Sequence, residues 1–316
     1  MTTINLALRS KIHKQTMKLM GNQFEISVVG NDKYWAEEMI NLGVEEIKRI
    51  EKLLTTFDES SETNLINRYA GEMPVEVSIE TFDLIKRSLR ISEITQGAFD
   101  ITYGSIDKRL WNFDTTMTRL PDRNTAKRMT RLINYRNIIL DEKHQTVFLK
   151  EKGMRIGFGG IGKGYAAEMA KAVMKTAGVK SGIVNASGDL ACWGGQPDGT
   201  PWTVGIVNPN LKESIFSYMA VSDMAIATSG NYEKFIMIDG VKYSHTINPR
   251  TGLPITGIKS VTIITPNAEI ADAMATPVSI MGIETGLNMI NQIKNIEAII
   301  IDDNDTIYTS NNIHFS

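Results

Sequence analysis

A histidine and a pair of oxygen-bearing side chains are the residues of this sequence best suited to chemistry. His245 lies in the polar stretch Tyr243-Ser244-His245-Thr246, between predicted strands. An imidazole titrates near neutral pH and can take a proton from a hydroxyl as a general base. The other histidines, His13, His144 and His314, lie near the termini or in a polar turn. The alternative is a structural histidine held by hydrogen bonds.

Asp272 and Thr276 stand four residues apart in a segment that is predicted to be helical. Side chains at i and i+4 share one face of a helix, so a carboxylate and a hydroxyl would converge there. Such oxygen ligands suit Mg²⁺, which takes few ligands from protein and completes its octahedron with water and phosphate. The alternative is an acidic residue in the first turn that interacts with the helix dipole. Pro277 disfavours the α conformation at Thr276, which predicts a late start or a bend.

Two runs of small residues could let the backbone approach a ligand. Glycine recurs in Gly157–Tyr165, directly before a predicted helix, where free amides and Lys163 would attract phosphate. This run is not a Walker loop, because Gly164 rather than Ser or Thr follows the lysine. Phosphate binding and simple tight packing are equally compatible with it. The second run, Asn185–Asp189, suits either a site wall or an ordinary turn.

Helices and strands that must position these residues follow from periodicity and capping signals. Helices are predicted over 33–57, 78–97 and 122–135, the last two from the N-capping residues Ser78 and Asp122.

Short β-rich runs dominate the chain from Met154 onward. The predicted strands are a hairpin at 137–140 and 146–149, followed by 181–185, 202–207, 217–221, 234–238, 259–265 and 298–301. Glycine-rich turns and two or three helices separate them. This layout predicts an α+β fold with a mixed or antiparallel sheet and flanking helices.

Composition excludes several classes of protein. The chain has 316 residues and a formal net charge of -2, with no basic stripe, so nucleic acid is not an expected partner. Cys192 is the only cysteine, which excludes an internal disulfide and any CxxC metal site. The N-terminus lacks a signal-peptide pattern and no segment approaches the ~20 apolar residues that span a bilayer. A cytoplasmic protein without a membrane anchor is the expectation.

Four segments, in this order and spacing, resemble the ApbE-type FAD:protein FMN transferases: GFGGIGKGYAAE, ATSGNYEKF, YSHTINPRTG and ADAMATPVSIMG. Further matches in the N-terminal half are Met20-Gly21, the segment 54–67, and Gly97–Thr102 leading to Trp111–Phe113. The resemblance covers residues 17–301. It implies one compact α+β unit over these residues, with FAD in a central cleft, between terminal segments 1–16 and 302–316.

The resemblance also implies roles for individual residues. The positions that match the family's FAD contacts are Met20, Phe57, Ala98, Phe99, Asp100, Lys163 and Thr246. Mg²⁺ would be held by the backbone carbonyl of Gly160 and the side chains of Asp272 and Thr276, and Ala275 could add a backbone oxygen. His245 matches the catalytic histidine.

The implied activity is Mg²⁺-dependent transfer of the FMN half of FAD to a Ser or Thr hydroxyl of an acceptor protein, with release of AMP. The acceptor is expected to carry the family's Asp-Gly/Ala-x-Ser/Thr-Gly/Ala-Thr motif. Two alternatives stay open: a hydrolase that splits FAD into FMN and AMP, and a non-catalytic FAD-binding protein.

Family members usually carry Asp at the positions of Gly157, Glu168 and Asn231, so the affinity of this protein for the nucleotide could differ from theirs. The metal pair and the histidine are present, which favours an enzyme.

Overall fold

An eight-stranded antiparallel sheet forms the centre of the protein. The structure is a computed structural model that describes residues 10–106, 119–207, 215–230 and 235–313. Its strands are β1 (Lys11–Leu19), β2 (Asn22–Gly30), β3 (Val75–Glu76), β4 (Ile138–Asp141), β5 (Thr146–Leu149), β6 (Gly182–Ala186), β7 (Asp189–Trp193), β8 (Trp202–Val207), β9 (Ile215–Val221), β10 (Ala225–Gly230), β11 (Phe235–Ile238), β12 (Val241–Ser244), β13 (Ile258–Thr265), β14 (Glu297–Asp302) and β15 (Ile307–Thr309). The central sheet has the order β1-β2-β6-β7-β10-β13-β14-β15, and every neighbouring pair is antiparallel. The α+β class with an antiparallel sheet is therefore confirmed.

Three helices cover one face of this sheet. The helices are α1 (Lys33–Leu54), α2 (Glu62–Arg68), α3 (Ile79–Ile94), α4 (Arg123–Met129), α5 (Gly162–Thr176), α6 (Ala268–Met281) and α7 (Ile283–Ile290). Helix α1 packs on β2, α5 on β6 and β7, and α6 on β10 and β13, with α5 in contact with both of the others. None of the helices in the described ranges is long and apolar enough to cross a bilayer.

The core between helices and sheet follows from the two periodicities. In β2 the alternate residues Phe24, Ile26 and Val28 are fully buried. Helix α1 buries residues at helical spacing against them, including Ile40 and Ile47. Burial of each such aliphatic or aromatic side chain stabilises the fold by about 1.5–3 kcal/mol. This core fixes α5 and α6 over the middle of the sheet.

A second, smaller apolar cluster lies on the opposite face. Its central-sheet members alternate with residues of the main core, and the β8–β9 hairpin covers them. The buried side chains of this cluster are Cys192, Trp202, Val204, Val221, Ile226, Ile264 and Ile299. Two further small sheets, β3-β5-β4 and β11-β12, lie outside the central sheet. The edge strands β1 and β15 extend beyond residues 17–301.

The helix that was predicted to run from Asp122 to about Tyr135 is shorter in the structure. Asp122 caps it as expected, but α4 ends at Met129. Tertiary hydrogen bonds hold the following residues out of the helix: the amide of Asn134 donates to Thr102 Oγ1, and that of Tyr135 donates to Asp100 Oδ2, both at 2.8 Å. The predicted extension is wrong because these long-range partners replace intrahelical ones.

Pro277 suggested a late start for helix α6, but the helix begins at Ala268, well before this proline. Its first turn is capped twice: Asn267 Oδ1 accepts the amide of Ile270 at 3.0 Å, and Glu168 Oε2 accepts that of Ala268 at 2.8 Å. The helix then continues through Pro277 to Met281. A proline removes one hydrogen-bond donor, and the caps together with burial of this helix offset that loss.

Candidate functional site

The N-terminal turn of α5 lies directly against α6. A Cβ atom at Gly164 would lie 2.1 Å from the carbonyl oxygen of Ala268 and 2.6 Å from Cβ of Asp272. Only glycine allows this approach, and the Gly164 amide consequently donates to Oδ2 of Asp272 at 2.9 Å. Tight packing therefore accounts for this glycine, and the packing brings Asp272 to the start of α5.

We expect Gly164→Ala to destabilise the protein by about 3 kcal/mol, because the added methyl group meets helix backbone that cannot move aside easily. Gly159→Ala is the matched control in the same glycine run, since a Cβ there meets nothing within 4 Å. We expect the control to change the free energy of unfolding by no more than about 0.5 kcal/mol. Urea unfolding of both variants measures the difference. Equal losses would contradict the packing requirement.

Three ionisable side chains meet beside this helix contact. The Lys163 ammonium hydrogen-bonds Oδ2 of Asp189 and lies 3.6 Å from Oδ1 of Asp272. The exposed fractions of the Lys163, Asp189 and Asp272 side chains are 27%, 6% and 9%. We call these three residues the ionic cluster.

The charges of the ionic cluster depend on one another. Burial lowers the pKa of Lys163, but the charges of Asp272 and Asp189 outweigh this effect and raise the pKa above its ordinary value. Burial and the neighbouring charge of Asp272 raise the pKa of Asp189, although Lys163 opposes this. The cluster contains two carboxyl groups and only one ammonium group, so its carboxyl groups outnumber its positive charges.

We expect Lys163→Met to lower the free energy of unfolding by about 3 kcal/mol, because it leaves two buried carboxyl groups without their ammonium partner. Asp189→Asn, alone and in the Lys163→Met background, tests whether the two residues act through each other. We expect a coupling of about 1–3 kcal/mol in a double-mutant cycle measured by urea unfolding. Additive losses would show that the Lys163–Asp189 contact contributes nothing of its own.

The oxygen atoms around Asp272 fit a hard cation. Thr276 lies one turn further along the unbroken helix α6, on the same face as Asp272. The carbonyl of Gly160 precedes helix α5, which begins at Gly162, so it is not part of the helical hydrogen-bond ladder. The Gly164 amide, in the first turn of α5, donates to Asp272. Ala275 is a weaker candidate ligand, since it lies inside α6, where carbonyls accept amides four residues on.

Within the described ranges, no group of three or more His, Cys, Asp and Glu side chains is arranged to hold a metal ion. A cation at Asp272 would thus rely on one carboxylate, a hydroxyl, backbone oxygen and non-protein ligands. This composition suits Mg²⁺, which binds phosphate and water alongside few protein ligands.

Two predicted FAD-contact residues border the glycine run. Met20 has φ 49° in the turn between β1 and β2. Its Cε atom lies 3.8 Å from a Cβ built on Gly162, and Cε2 of Phe99 lies 3.7 Å from one built on Gly160. Phe57 is 99% exposed, so its ring is available to cover a ligand. The structure thus brings Met20 and Phe99 close to the start of α5.

Asp100 is already engaged by the protein. Its Oδ1 accepts the amide of Thr102 at 2.8 Å and the Thr102 hydroxyl at 2.6 Å, and its Oδ2 accepts the amide of Tyr135. Burial raises the pKa of Asp100, and these hydrogen bonds oppose the rise. Together with the buried Ala98, this residue shapes the loop rather than offering a free carboxylate. A contact with FAD through its backbone stays a prediction.

His245 and Thr246 lie on a separate loop that follows β12. Amide–carbonyl hydrogen bonds join Ser244 and Thr246 to Ile255 at 3.0 Å each, which fixes the base of the loop. Thr246 is buried, whereas His245 is exposed. An exposed imidazole on a fixed base can meet a large partner such as another protein.

Sequence reasoning missed the role of Asp189. It begins β7, and the available signal was an acidic residue at the start of an otherwise apolar strand, Asp189–Trp193.

Two of the three positions that depart from the family pattern lie in the described part of the structure. Glu168 caps α6 and lies 2.9 Å from the Lys171 ammonium, so it has a structural role. A Cβ at Gly157 would meet only Thr56, at 3.8 Å, and Asn231 lies outside the described residues.

The sequence is similar to a family of known proteins over most of its length. The sequence model of the ApbE family matches residues 20–300. An FAD:protein FMN transferase of Klebsiella pneumoniae (strain 342) is 31% identical over 282 residues, which cover 87% of this chain and 80% of the relative. The FAD:protein FMN transferase of Escherichia coli (strain K12) is 29% identical over 281 residues, with the same two coverages.

Solved structures agree with this assignment. The crystal structure of the ApbE protein from Thermotoga maritima superposes with a TM-score of 0.84 at 30% identity, covering 95% of this chain and 97% of that chain. The flavin transferase ApbE from Vibrio cholerae shares the fold, with a TM-score of 0.82 at 24% identity and the same coverages. Because the family model spans most of the sequence and the fold agrees throughout, the chain belongs to the ApbE family.

Proposed function

We propose that this protein transfers the FMN part of FAD to a Ser or Thr hydroxyl of an acceptor protein and releases AMP, in a Mg²⁺-dependent reaction. The observation that carries the proposal is the ionic cluster at the start of α5, where a half-buried lysine meets two buried carboxylates beside a glycine run. The printed names of the relatives, FAD:protein FMN transferase, support the same reaction. We take residues 17–301 as the single unit that performs it.

FAD binding would use the residues around the glycine run. The Lys163 ammonium stays charged, so it can face the FAD pyrophosphate. The exposed Phe57 ring and Met20 offer apolar surface for the flavin or adenine ring. The other proposed contacts are Ala98, Phe99, Asp100 and Thr246.

The proposed metal ligands are Asp272, Thr276 and the carbonyl of Gly160, with Ala275 as a further backbone candidate. The oxygen-only donor set and the negative balance of the ionic cluster support this choice. When bound, Mg²⁺ supplies positive charge that neutralises phosphate oxygens during phosphoryl transfer.

His245 is the proposed general base. It would take the proton of the acceptor hydroxyl, whose oxygen then forms a bond to the phosphorus of the FMN half. The bond between that phosphorus and the oxygen shared with the AMP phosphate breaks, and AMP leaves with the bridging oxygen. The exposure of His245 supports a protein hydroxyl as the attacking group.

The test measures AMP release from FAD with Mg²⁺, with and without an acceptor protein that carries the Asp-Gly/Ala-x-Ser/Thr-Gly/Ala-Thr motif, followed by the mass of the acceptor. Acceptor-dependent AMP together with an FMN-sized mass gain would support the transferase. AMP without a mass gain would replace it with a hydrolase. FAD binding without AMP under either condition would point to a non-catalytic binder.

A further inference from the structure

A pocket of about 300 Å³ lies between α4 and the loop that follows His245. Four cationic side chains line it: Lys127, Arg131, Arg136 and Arg250. We call it the cationic pocket. Of the residues proposed to contact FAD or Mg²⁺, only Asp100 lines it.

Among the residues that the structure describes, carboxylates do not balance the charge of this pocket. Asp100 is the one carboxylate among its lining residues, and its two oxygens already accept three hydrogen bonds. Within the part of the chain that the structure describes, Lys127, Arg131 and Arg136 form no ion pair. The whole chain has a net charge of -2, so this local excess does not reflect general basicity.

Several exposed cations elsewhere on the protein are paired with carboxylates. Arg49 bonds Glu80 at 2.6 Å, Lys86 lies 2.6 Å from Glu142, and Arg90 lies 3.0 Å from Glu93. In the cationic pocket, by contrast, four cationic side chains are grouped together, and such a group attracts anions.

The two walls of the cationic pocket are fixed to each other. A Cβ at Gly252, which has φ +68°, would lie 2.1 Å from the carbonyl of Ala126 in α4, so the loop rests directly on the helix. On the other side Arg250 donates to the carbonyl of Gln96 at 2.5 Å. The Arg136 guanidinium lies 4.7 Å from the centre of the Tyr135 ring. These contacts hold Arg250 and Arg136 at the pocket before any ligand arrives.

The same loop carries the proposed base. Arg250 follows His245 by five residues, a span of at most ~18 Å even for an extended chain. His245 and the cationic side chains Lys127, Arg131, Arg136 and Arg250 are all exposed. A protein that touches the pocket can therefore reach the base with a short segment.

We propose that the cationic pocket binds carboxylate side chains of the acceptor protein and so holds the acceptor beside His245. This inference rests on the proposed function. Free phosphate shares part of this chemistry, but FAD has its own cation in Lys163, and the exposed cationic side chains of the pocket are accessible to a protein. Electrostatic contacts of this kind govern the encounter of two proteins and their choice of partner.

The test is a charge reversal, Arg131→Glu with Arg136→Glu, assayed with FAD, Mg²⁺ and an acceptor protein. We expect KM for the acceptor to rise about tenfold, while kcat at saturating acceptor and KM for FAD stay within about twofold. Lys180→Glu with Lys294→Glu is the matched control, since both lysines are exposed and lie outside the pocket. We expect the control to leave KM for the acceptor within about twofold of that of the wild type.

The results of this experiment test the proposed function and the acceptor-binding role of the cationic pocket separately. No transfer by the wild type would refute the proposed function. Wild-type transfer with an unchanged acceptor KM in the reversed variant would overturn the inference, as would loss of inorganic phosphate binding without a change in that KM. Should the reversed variant not fold, Arg131→Gln with Arg136→Gln serves instead, with an expected rise of about threefold.

Discussion

Replacement of His245 by alanine is expected to slow FMN transfer by about 10²–10⁴-fold, the usual contribution of a general base. FAD should still bind, because the residues proposed to hold it lie mainly around the glycine run and not on this loop. Mass spectrometry of the acceptor over time gives the rate, and fluorescence of the flavin gives the binding. A loss of rate with unchanged FAD affinity assigns His245 to the chemical step.

His144→Ala is the control for this measurement. His144 is exposed in the turn between β4 and β5, where its Nδ1 lies 2.8 Å from Oδ2 of Asp141, and it touches none of the proposed site residues. We expect wild-type transfer from this variant. If His245→Ala also keeps most of the wild-type rate, the hydroxyl must lose its proton to another group and the assignment of the base is wrong.

Predictions from sequence succeeded where a local signal specifies a structure. Asp122 and Ser78 cap their helices as predicted, and the hairpin of β4 and β5 forms with its expected polar turn. Apolar residues at helical spacing likewise located α1, whose end differs by three residues from the prediction. Each of these signals operates between residues close together in the chain.

Strands in the middle of the sheet were harder to predict. Strand β10 (Ala225–Gly230) consists largely of small residues, and β7 starts with an acidic one, so neither has a strong preference of its own. Both form because partners on either side supply hydrogen bonds. Strand β1 is mostly polar and half exposed, and its pairing with β2 extends the sheet at its edge.

The site could be predicted only in part for the same reason. Family motifs pointed to Lys163 and Asp272, which lie 109 positions apart in the numbering and meet beside Gly164. No pattern in the chain pairs Lys163 with Asp189, because that contact depends on how α5 crosses the end of β7. Position 164 must be glycine because α5 packs tightly on α6 there. A glycine-rich run in the sequence does not by itself show which glycine is required.

Replacement of Asp272 by asparagine is expected to lower FMN transfer by about 10²-fold or more and to raise the Mg²⁺ concentration needed for half-maximal rate. Asparagine keeps an oxygen that can accept the Gly164 amide, so the contact between α5 and α6 survives while the charge is lost. Titration of transfer rate against Mg²⁺, together with calorimetric Mg²⁺ binding in the presence of FAD, measures the effect.

Glu269→Gln provides the matched control, since Glu269 is a buried carboxylate on the same helix, three residues before Asp272. It pairs with Arg87 at 2.7 Å, away from the ionic cluster. We expect this variant to lose stability, because the buried carboxylate loses its charge pairing with the partly exposed Arg87, but to keep the wild-type Mg²⁺ requirement. If both variants need more Mg²⁺ to the same extent, the effect comes from displacement of α6 and not from a ligand. A raised requirement in Asp272→Asn alone ties the metal to that carboxylate, since the two substitutions remove the same charge from the same helix.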